Sequence, residues 1–294
     1  MNYLHAYHAG NFADVMKHLT MVAIIGYLQR KDTPFRVIDM HAGSARYELK
    51  GHQARATAES DAGIIRLFEQ GNPQRPISLG PEADAIAKPY LDVISRLNPG
   101  PKLDTYPGSP LLARHLLRPK DRLTACELRD IEFHKLQKLF AGDPQVLTRN
   151  VDSWRHLKAL LPPDLKRALI LMDPPFEERH EMERALDAIA VGVQRFPMGI
   201  FKLWYPIKAR YMADNWAKAV ARRKPELGVE TILRAELYVR PPDNEDQLNG
   251  TGLFIINPPY ILQDMLHDLL PVLQRHLQQA PASERFHKTS IDIL

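Results

Sequence analysis

The chain has 294 residues, 45% of them hydrophobic and 25% charged. That supplies the core of one large α/β domain, or of one domain carrying an insertion, and excludes a disordered chain. No apolar run reaches the roughly 18 residues of a membrane span, residues 1–10 lack the apolar stretch of a signal peptide, and the lone Cys126 excludes an internal disulfide. These features predict a cytoplasmic protein, and the net charge of +4 is compatible with a polyanionic partner.

Asn11 is placed to cap a helix, with Asp14 near the positive end of its dipole. Val15, Leu19, Val22 and Ala23 recur at helical spacing until Pro34 ends the pattern. Residues 35–39 read as a short buried strand ending in Asp39, and Met40-His41-Ala42-Gly43-Ser44 as the loop after it. Helices are expected over about 54–70 and 81–98, separated by the turn signals Gly71-Asn72-Pro73 and Asn98-Pro99-Gly100-Pro101. Strands and helices then alternate. Strand 123–127 ends in Glu127 and is followed by a helix to about 140. Strand 146–148 leads to a helix to about 161. The strongly apolar strand 168–172 ends at Asp173. A charged helix, a strand over 199–204, and two late strands over 231–239 and 252–256 flanked by helices complete the pattern. It predicts an α/β sheet, mostly parallel.

Ligands of an open α/β sheet sit beyond the carboxyl ends of its strands. Three strands here end in acids, Asp39, Glu127 and Asp173. Each could merely cap the next helix, but three with Gly43 nearby point to one crevice. The sharpest signal is Asp173-Pro174-Pro175-Phe176. Successive prolines fix the backbone and leave carbonyls without adjacent N–H donors. The Asp173 carboxylate and the Pro174 carbonyl can then face one small donor group, and Phe176 offers a flat face to a base. This suits adenine N6, whose lone pair is delocalised into the ring. Hydrogen bonds from the amine to both acceptors favour a more tetrahedral nitrogen that can attack a sulfonium methyl in line. The bland alternative is a turn with a capping Asp. Asn257-Pro258-Pro259-Tyr260 follows another apolar strand and is the rival loop. Strand order favours Asp173, which ends the fourth strand, where Asn257 falls near the last.

The loop after Asp39 is the expected seat of the cofactor's methionine end, although Gly43 is its only glycine. Glu127 is suited to ribose hydroxyls. The long separation of Gly43 from Glu127 implies an insertion, mostly helical, between the first two strands. Asp152 follows the third strand and could meet the cofactor's adenine amine, or cap the helix that starts at Ser153-Trp154. Lys208, Arg210, Lys218, Arg222, Arg223 and Lys224, opposed within the stretch only by Asp214, are interleaved with Trp204, Tyr205, Tyr211 and Trp216. That is either a nucleic-acid surface or a solvated helix with core aromatics. No Cys-x-x-Cys, His-Glu-x-x-His, Gly-x-Ser-x-Gly or phosphate-loop spacing is present, so neither a metal site nor those reaction classes are expected.

Over most of its length the chain resembles the RlmJ family of 23S ribosomal RNA adenine-N6 methyltransferases. The resemblance rests on His8-Ala9-Gly10-Asn11-Phe12-Ala13-Asp14-Val15-Met16-Lys17-His18 and Asp39-Met40-His41-Ala42-Gly43. It continues through Tyr106-Pro107-Gly108-Ser109-Pro110, Asp173-Pro174-Pro175-Phe176, Leu203-Trp204-Tyr205-Pro206 and Ile256-Asn257-Pro258-Pro259. It implies an α/β, Rossmann-like class I S-adenosylmethionine-dependent methyltransferase sheet with a small helical insertion. The division expected is a methyltransferase domain over 1–46 and 108–294 and an inserted helical subdomain over 47–107. The cofactor, S-adenosylmethionine, would meet His18, His41, Ser109, Glu127, Asp152 and Ser153. Asp173, with Pro174 and Phe176, would be the catalytic loop, and Tyr3 with Phe176 would position the target base. Family members commonly carry Tyr where this chain has Phe176, and glycine where it has Ser153. The resemblance implies a cytoplasmic monomer producing N6-methyladenosine in naked or partly assembled 23S RNA. Two alternatives share many of these features: an adenine-N6 DNA methyltransferase, and a non-catalytic nucleic-acid binding protein linked to DNA uptake or use.

Overall fold

The computed structural model describes residues 4–178, 180–281 and 286–294. In chain order its larger elements are α1 (Phe12–Gln29), β1 (Arg36–Asp39), β2 (Arg46–Glu48), α2 (His52–Thr57), α3 (Pro81–Leu97), β3 (Thr105–Pro107) and α4 (Ser109–Leu116). Then come β4 (Arg122–Glu127), α5 (Asp130–Leu139), β5 (Val146–Asn150), α6 (Ser153–Leu160), β6 (Ala168–Met172) and α7 (Glu181–Arg195). The chain closes with β7 (Ile200–Ile207), α8 (Arg210–Leu227), β8 (Ile232–Tyr238), β9 (Gly250–Ile256), α9 (Leu262–Leu277) and β10 (Thr289–Ile293).

Eight strands form one sheet in the order β10-β8-β9-β7-β6-β1-β4-β5. β1, β4, β5, β6 and β7 pair in parallel, while β9 runs against both β7 and β8, and β10 against β8. From β1 the chain builds one way through β4 and β5, and later the other way through β6 and β7. The strand order therefore reverses beside β1, where a crevice opens at the carboxyl edge. This is the Rossmann-like sheet of class I methyltransferases, with a helical insertion between β2 and β3. The expected alternation holds, but β2 and β3, which pair with each other, and β10 carry no periodic signal long enough to be read in the sequence.

One apolar layer lies between the sheet and α1, α3, α4, α5 and α9, the other between the sheet and α6, α7 and α8. Asn11 caps α1 as expected, its side-chain oxygen accepting from Asp14 N at 2.9 Å. That helix is buried without interruption from Phe12 to Ile25, so its polar residues Asp14, Lys17 and His18 are inside the protein, not on a wet face.

The helix expected over 54–70 is corrected. α2 stops at Thr57, where Ala58 adopts φ 52°, and three short 3-10 turns follow at Glu59–Ala62, Ile64–Leu67 and Glu69–Gly71. Docking of this segment on the start of α1 breaks the helix: Ile64 N donates to Gly10 O at 2.8 Å. A Cβ on Gly63 would lie 2.1 Å from that same oxygen, so only glycine permits the approach.

Candidate active site

The crevice is built where β1, β4, β5 and β6 end. Asp39 closes β1 with its carboxylate 1% exposed for the whole residue. It accepts from Ser109 Oγ at 2.6 Å and from His41 N at 3.2 Å. Burial pushes its pKa up to about 6, against the pull of these two donors. The backbone then threads between neighbours, Met40 N donating to Leu171 O and Ala42 N to Cys126 O. Gly43 sits at φ +58°, and a Cβ there would lie 2.2 Å from the Tyr47 hydroxyl. One glycine suffices because only this position combines a left-handed backbone with a close approach.

Gly43 N donates to Glu127 Oε2 at 2.8 Å, and Arg129 N to Glu127 Oε1 at 2.8 Å. The two amides aim the carboxylate at the crevice, while burial raises its pKa. Ser153 Oγ donates to Met40 O at 2.6 Å, tying α6 to the loop after β1. Asp152 does cap α6, accepting from Trp154 N and Arg155 N. Its Oδ1 serves both amides, and Oδ2 lies 3.4 Å from Arg155 and 3.7 Å from Arg184.

Asp173, just past β6, meets both halves of the site. Its backbone N–H donates to His41 Nδ1 at 3.1 Å. Burial holds His41 down at about 4, so the ring is a neutral acceptor, and it leans on Trp154 with centroids 4.9 Å apart. Asp173 Oδ2 accepts from Lys17 Nζ at 2.6 Å. Lys17 also reaches Asp14 Oδ1 at 3.0 Å, and Asp14 Oδ2 pairs with His5 at 3.0 Å. Burial disfavours the Lys17 ammonium, but the Asp173 and Asp14 carboxylates outweigh it and leave its pKa above the usual lysine value. Lys202, buried on β7, lies in the same field, and burial lowers it to about 8. His18 lies behind, its Nδ1 2.9 Å from the Tyr106 hydroxyl, and burial drops it to about 3.

The structure thus brings His18, His41, Ser109, Glu127, Asp152, Ser153 and Asp173 around one crevice, all of them wall residues together with Pro174, while Asp39 lies behind the wall and holds Ser109 and His41 in place. Phe176 lies just outside that wall at φ 52°, its ring 5.7 Å from Trp204 and 5.5 Å from Trp216. Tyr3 falls outside the described residues. The sequence reading missed Lys17, His5, Trp204 and Lys202. A usable signal existed for the first: Asp14 and Lys17 stand three apart on an otherwise apolar helix, and buried charges occur as pairs.

Asn257 lies at the other edge of the sheet. β9 is antiparallel to β7, and its last residue, Ile256, faces Phe201 near the beginning of β7. Asn257 Nδ2 donates to the carbonyls of Pro197 and Gly199, so this loop caps a turn. The basic stretch, which the sequence leaves open between a nucleic-acid surface and a solvated helix with core aromatics, is partly paired in the fold. Tyr205 is fully buried, and of its four aromatics only Tyr211 is strongly exposed, at 57%. Arg210 pairs with Asp214, and Arg223 with Asp187 and Glu226, two acids that lie outside the stretch first considered. Lys208, Lys218 and Arg222 have no acidic partner among the described residues.

The donor set fits S-adenosylmethionine. Glu127, held by two backbone amides with lone pairs still facing the crevice, suits two ribose hydroxyls. Met40, Leu128 and Trp154 offer apolar walls to an adenine, and Leu128 is 50% exposed with no other cover. The Asp173 carboxylate on the crevice wall suits a ligand bearing a sulfonium.

Known proteins similar to this chain point to one family. A family model described as Ribosomal RNA large subunit methyltransferase D, RlmJ, matches residues 32–288. Ribosomal RNA large subunit methyltransferase J of Escherichia coli (strain K12) is 37% identical over 282 residues, covering 96% of this chain and 95% of the relative. The Haemophilus influenzae protein of the same name is 34% identical over 278 residues, covering 94% of each. A crystal structure of a Legionella pneumophila protein is similar with a TM-score of 0.80 at 32% identity, covering 98% of both chains.

Proposed function

The chain belongs to the RlmJ family of ribosomal RNA large subunit methyltransferases, and on that premise we propose that it methylates the N6 amine of an adenine in 23S ribosomal RNA, using S-adenosylmethionine. The observation that carries this reading is the placement of Asp173-Pro174-Pro175-Phe176 at the carboxyl end of β6, with Asp173 bonded both to the His41 loop and to Lys17.

When bound, S-adenosylmethionine supplies an electrophilic methyl group. Glu127 holds its ribose, Asp152 its adenine amine, and His18, His41, Ser109 and Ser153 shape the loops around it. The Asp173 carboxylate and the Pro174 carbonyl would accept the two hydrogens of N6, drawing the nitrogen out of conjugation so that its lone pair can form the new N–C bond while the methyl's bond to sulfur breaks and its electron pair stays on sulfur, leaving a neutral thioether. The methylated nitrogen is then cationic, and the negative charge of Asp173 offsets it and takes its proton. Lys17 holds that carboxylate in one orientation. Trp204 packs over Lys17, whose Nζ lies 4.8 Å from the ring centroid, and helps fix the ammonium beside Asp173. Phe176, with Tyr3, positions the base, which must be unpaired or flipped to reach Asp173.

The enzyme works as a cytoplasmic monomer on naked or partly assembled 23S RNA, and residues 47–107 form an inserted subdomain on the methyltransferase domain 1–46 and 108–294. Among the described residues no helix is long and apolar enough to cross a membrane. The test is transfer of tritiated methyl to 23S RNA from a strain lacking the enzyme, with a matched DNA hairpin alongside and nucleoside analysis of the product. Label in N6-methyladenosine from RNA supports the reading. Label in the DNA alone, or in another nucleoside, overturns it.

A further inference from the structure

A second cavity lies against the catalytic crevice, and the two share His5, Asp14 and Trp204 as a common wall. Asp173 faces the first cavity and is not part of the second. The second is closed by three separate pieces of chain: the start of α1, the 57–62 segment that follows α2, and the 240–248 loop between β8 and β9. Its lining is largely apolar, with Phe12, Trp204 and Leu248 among its walls, and carries a few organised polar groups. Glu59 is held by His8 at 2.8 Å and by Asn11 Nδ2 at 2.9 Å. Each of its carboxylate oxygens keeps a further lone pair, and the side chain is 35% exposed. Opposite stands Arg240, half-buried, with Nη1 donating to Leu248 O at 2.9 Å. Its guanidinium makes no ion-pair contact with a carboxylate among the described residues; burial and the charge of Arg66 lower its pKa against the longer-range pull of Glu59. A guanidinium taken partly out of water without an acid partner is suited to an incoming anion, and phosphate is the anion it grips best.

Accepting that the substrate is RNA, as proposed above, we infer that this cavity receives the nucleotide next to the target adenosine in sequence, its phosphate on Arg240 and the N–H edge of its base on Glu59. The common wall sets the geometry: one base enters the crevice towards Asp173 while its neighbour lies on the far side of His5 and Trp204. A carboxylate accepts from the exocyclic amine of cytosine or from the N–H edge of guanine, so the site selects for such a base. The 57–62 segment, part of the insertion, thereby takes a direct share in choosing the sequence that is methylated.

The test uses the full-length enzyme and short RNA hairpins containing the target adenosine, intact or with the nucleotide on one side or the other made abasic. One of the two abasic hairpins should raise KM roughly tenfold, the size of one base-edge contact. Glu59→Gln should shrink that penalty, because the contact is already weakened. Arg240→Gln should raise KM and flatten the log–log salt dependence by roughly 0.7 for one single-stranded phosphate contact. Arg240→Lys should restore most of the slope, which a merely structural role for the Leu248 hydrogen bond would not. Failure of the intact hairpin to accept methyl, when 23S RNA does not either, overturns the RNA reading. Normal methylation with no penalty for either abasic neighbour, or an unchanged salt slope in a folded Arg240→Gln, overturns the pocket alone.

Discussion

Lys17 Nζ and Asp173 Oδ2 lie 2.6 Å apart although 156 positions separate them in the chain. The ammonium comes from the buried first helix and the carboxylate from the loop after β6. The pair locks one oxygen of the proposed catalytic acid and leaves the other to the substrate.

Lys17→Met should therefore slow methyl transfer roughly as much as Asp173→Ala, by about 10²–10⁴-fold, the range for a positioned proton acceptor. Cofactor affinity should change far less, since Lys17 is no wall of the cofactor crevice. Asp173→Asn should also be severe, because it keeps the shape and removes the charge. Single-turnover methylation with cofactor binding by calorimetry checks all three. A folded Asp173→Asn with normal turnover would remove Asp173 from the mechanism.

Asn257→Ala should keep its methyl-transfer rate and lose stability. Its amide satisfies the exposed carbonyl of Pro197 and the part-buried one of Gly199, and only the second is costly to leave unpaired, at about 1 kcal/mol. Urea unfolding alongside single-turnover assays separates the two. A dead but stable variant would contradict the placement of this loop at the far edge.

Phe176→Tyr should be nearly silent and Phe176→Ala should weaken RNA methylation, by about 1–3 kcal/mol if the base stacks there. The ring also packs on Trp204 and Trp216, so the alanine variant should unfold at a lower temperature. The stacking role fails if kcat/KM at a temperature well below unfolding is unchanged.

Neutralising Lys208, Arg210 and Arg222 together should reduce RNA affinity and flatten its salt dependence, with Lys208 carrying most of the effect. It is unpaired and stands at the carboxyl edge, where β7 ends. Arg210 is committed to Asp214, and Arg222 lies near the other end of an 18-residue helix, about 18 Å further along. Fluorescence anisotropy of single variants over a salt series reads this. Equal slopes for Lys208→Gln and wild type would make α8 a solvated helix and nothing more.

His18 contributes a pH dependence of stability whose sign follows from its burial. Its pKa is about 3 in the fold against an ordinary 6.5, so below that ordinary value the unfolded chain takes up a proton that the fold refuses. Stability from this residue is intact above about pH 6.5 and falls towards about pH 3, by roughly 1.4 kcal/mol per pH unit. Asp39, raised to about 6, acts oppositely: its cost to stability is relieved as pH falls through that value. Comparing wild type with His18→Gln isolates the first effect. The difference in unfolding free energy should shift in favour of the variant on going from pH 6.5 to 4.5, and a constant difference would mean that His18 is charged in the fold.

The sequence by itself determined the alternating α/β pattern, the acids at the strand ends and the family. These are local properties: hydrophobic period marks which face is buried, and the residue after a buried strand stands at a sheet edge. Which edge is not local. Asn257 and Asp173 look alike in the chain, and only the antiparallel course of β9 sends them to opposite sides. The same holds for charge. Lys17 reads as one cation on a helix until β6 brings Asp173 to it, and Arg223 reads as a free contact for RNA until α7 brings Asp187 to it at 2.8 Å. Charges find partners through space, over distances that no sequence window spans, so the acids at the strand ends were legible while the cations that pair with them were decided by the fold.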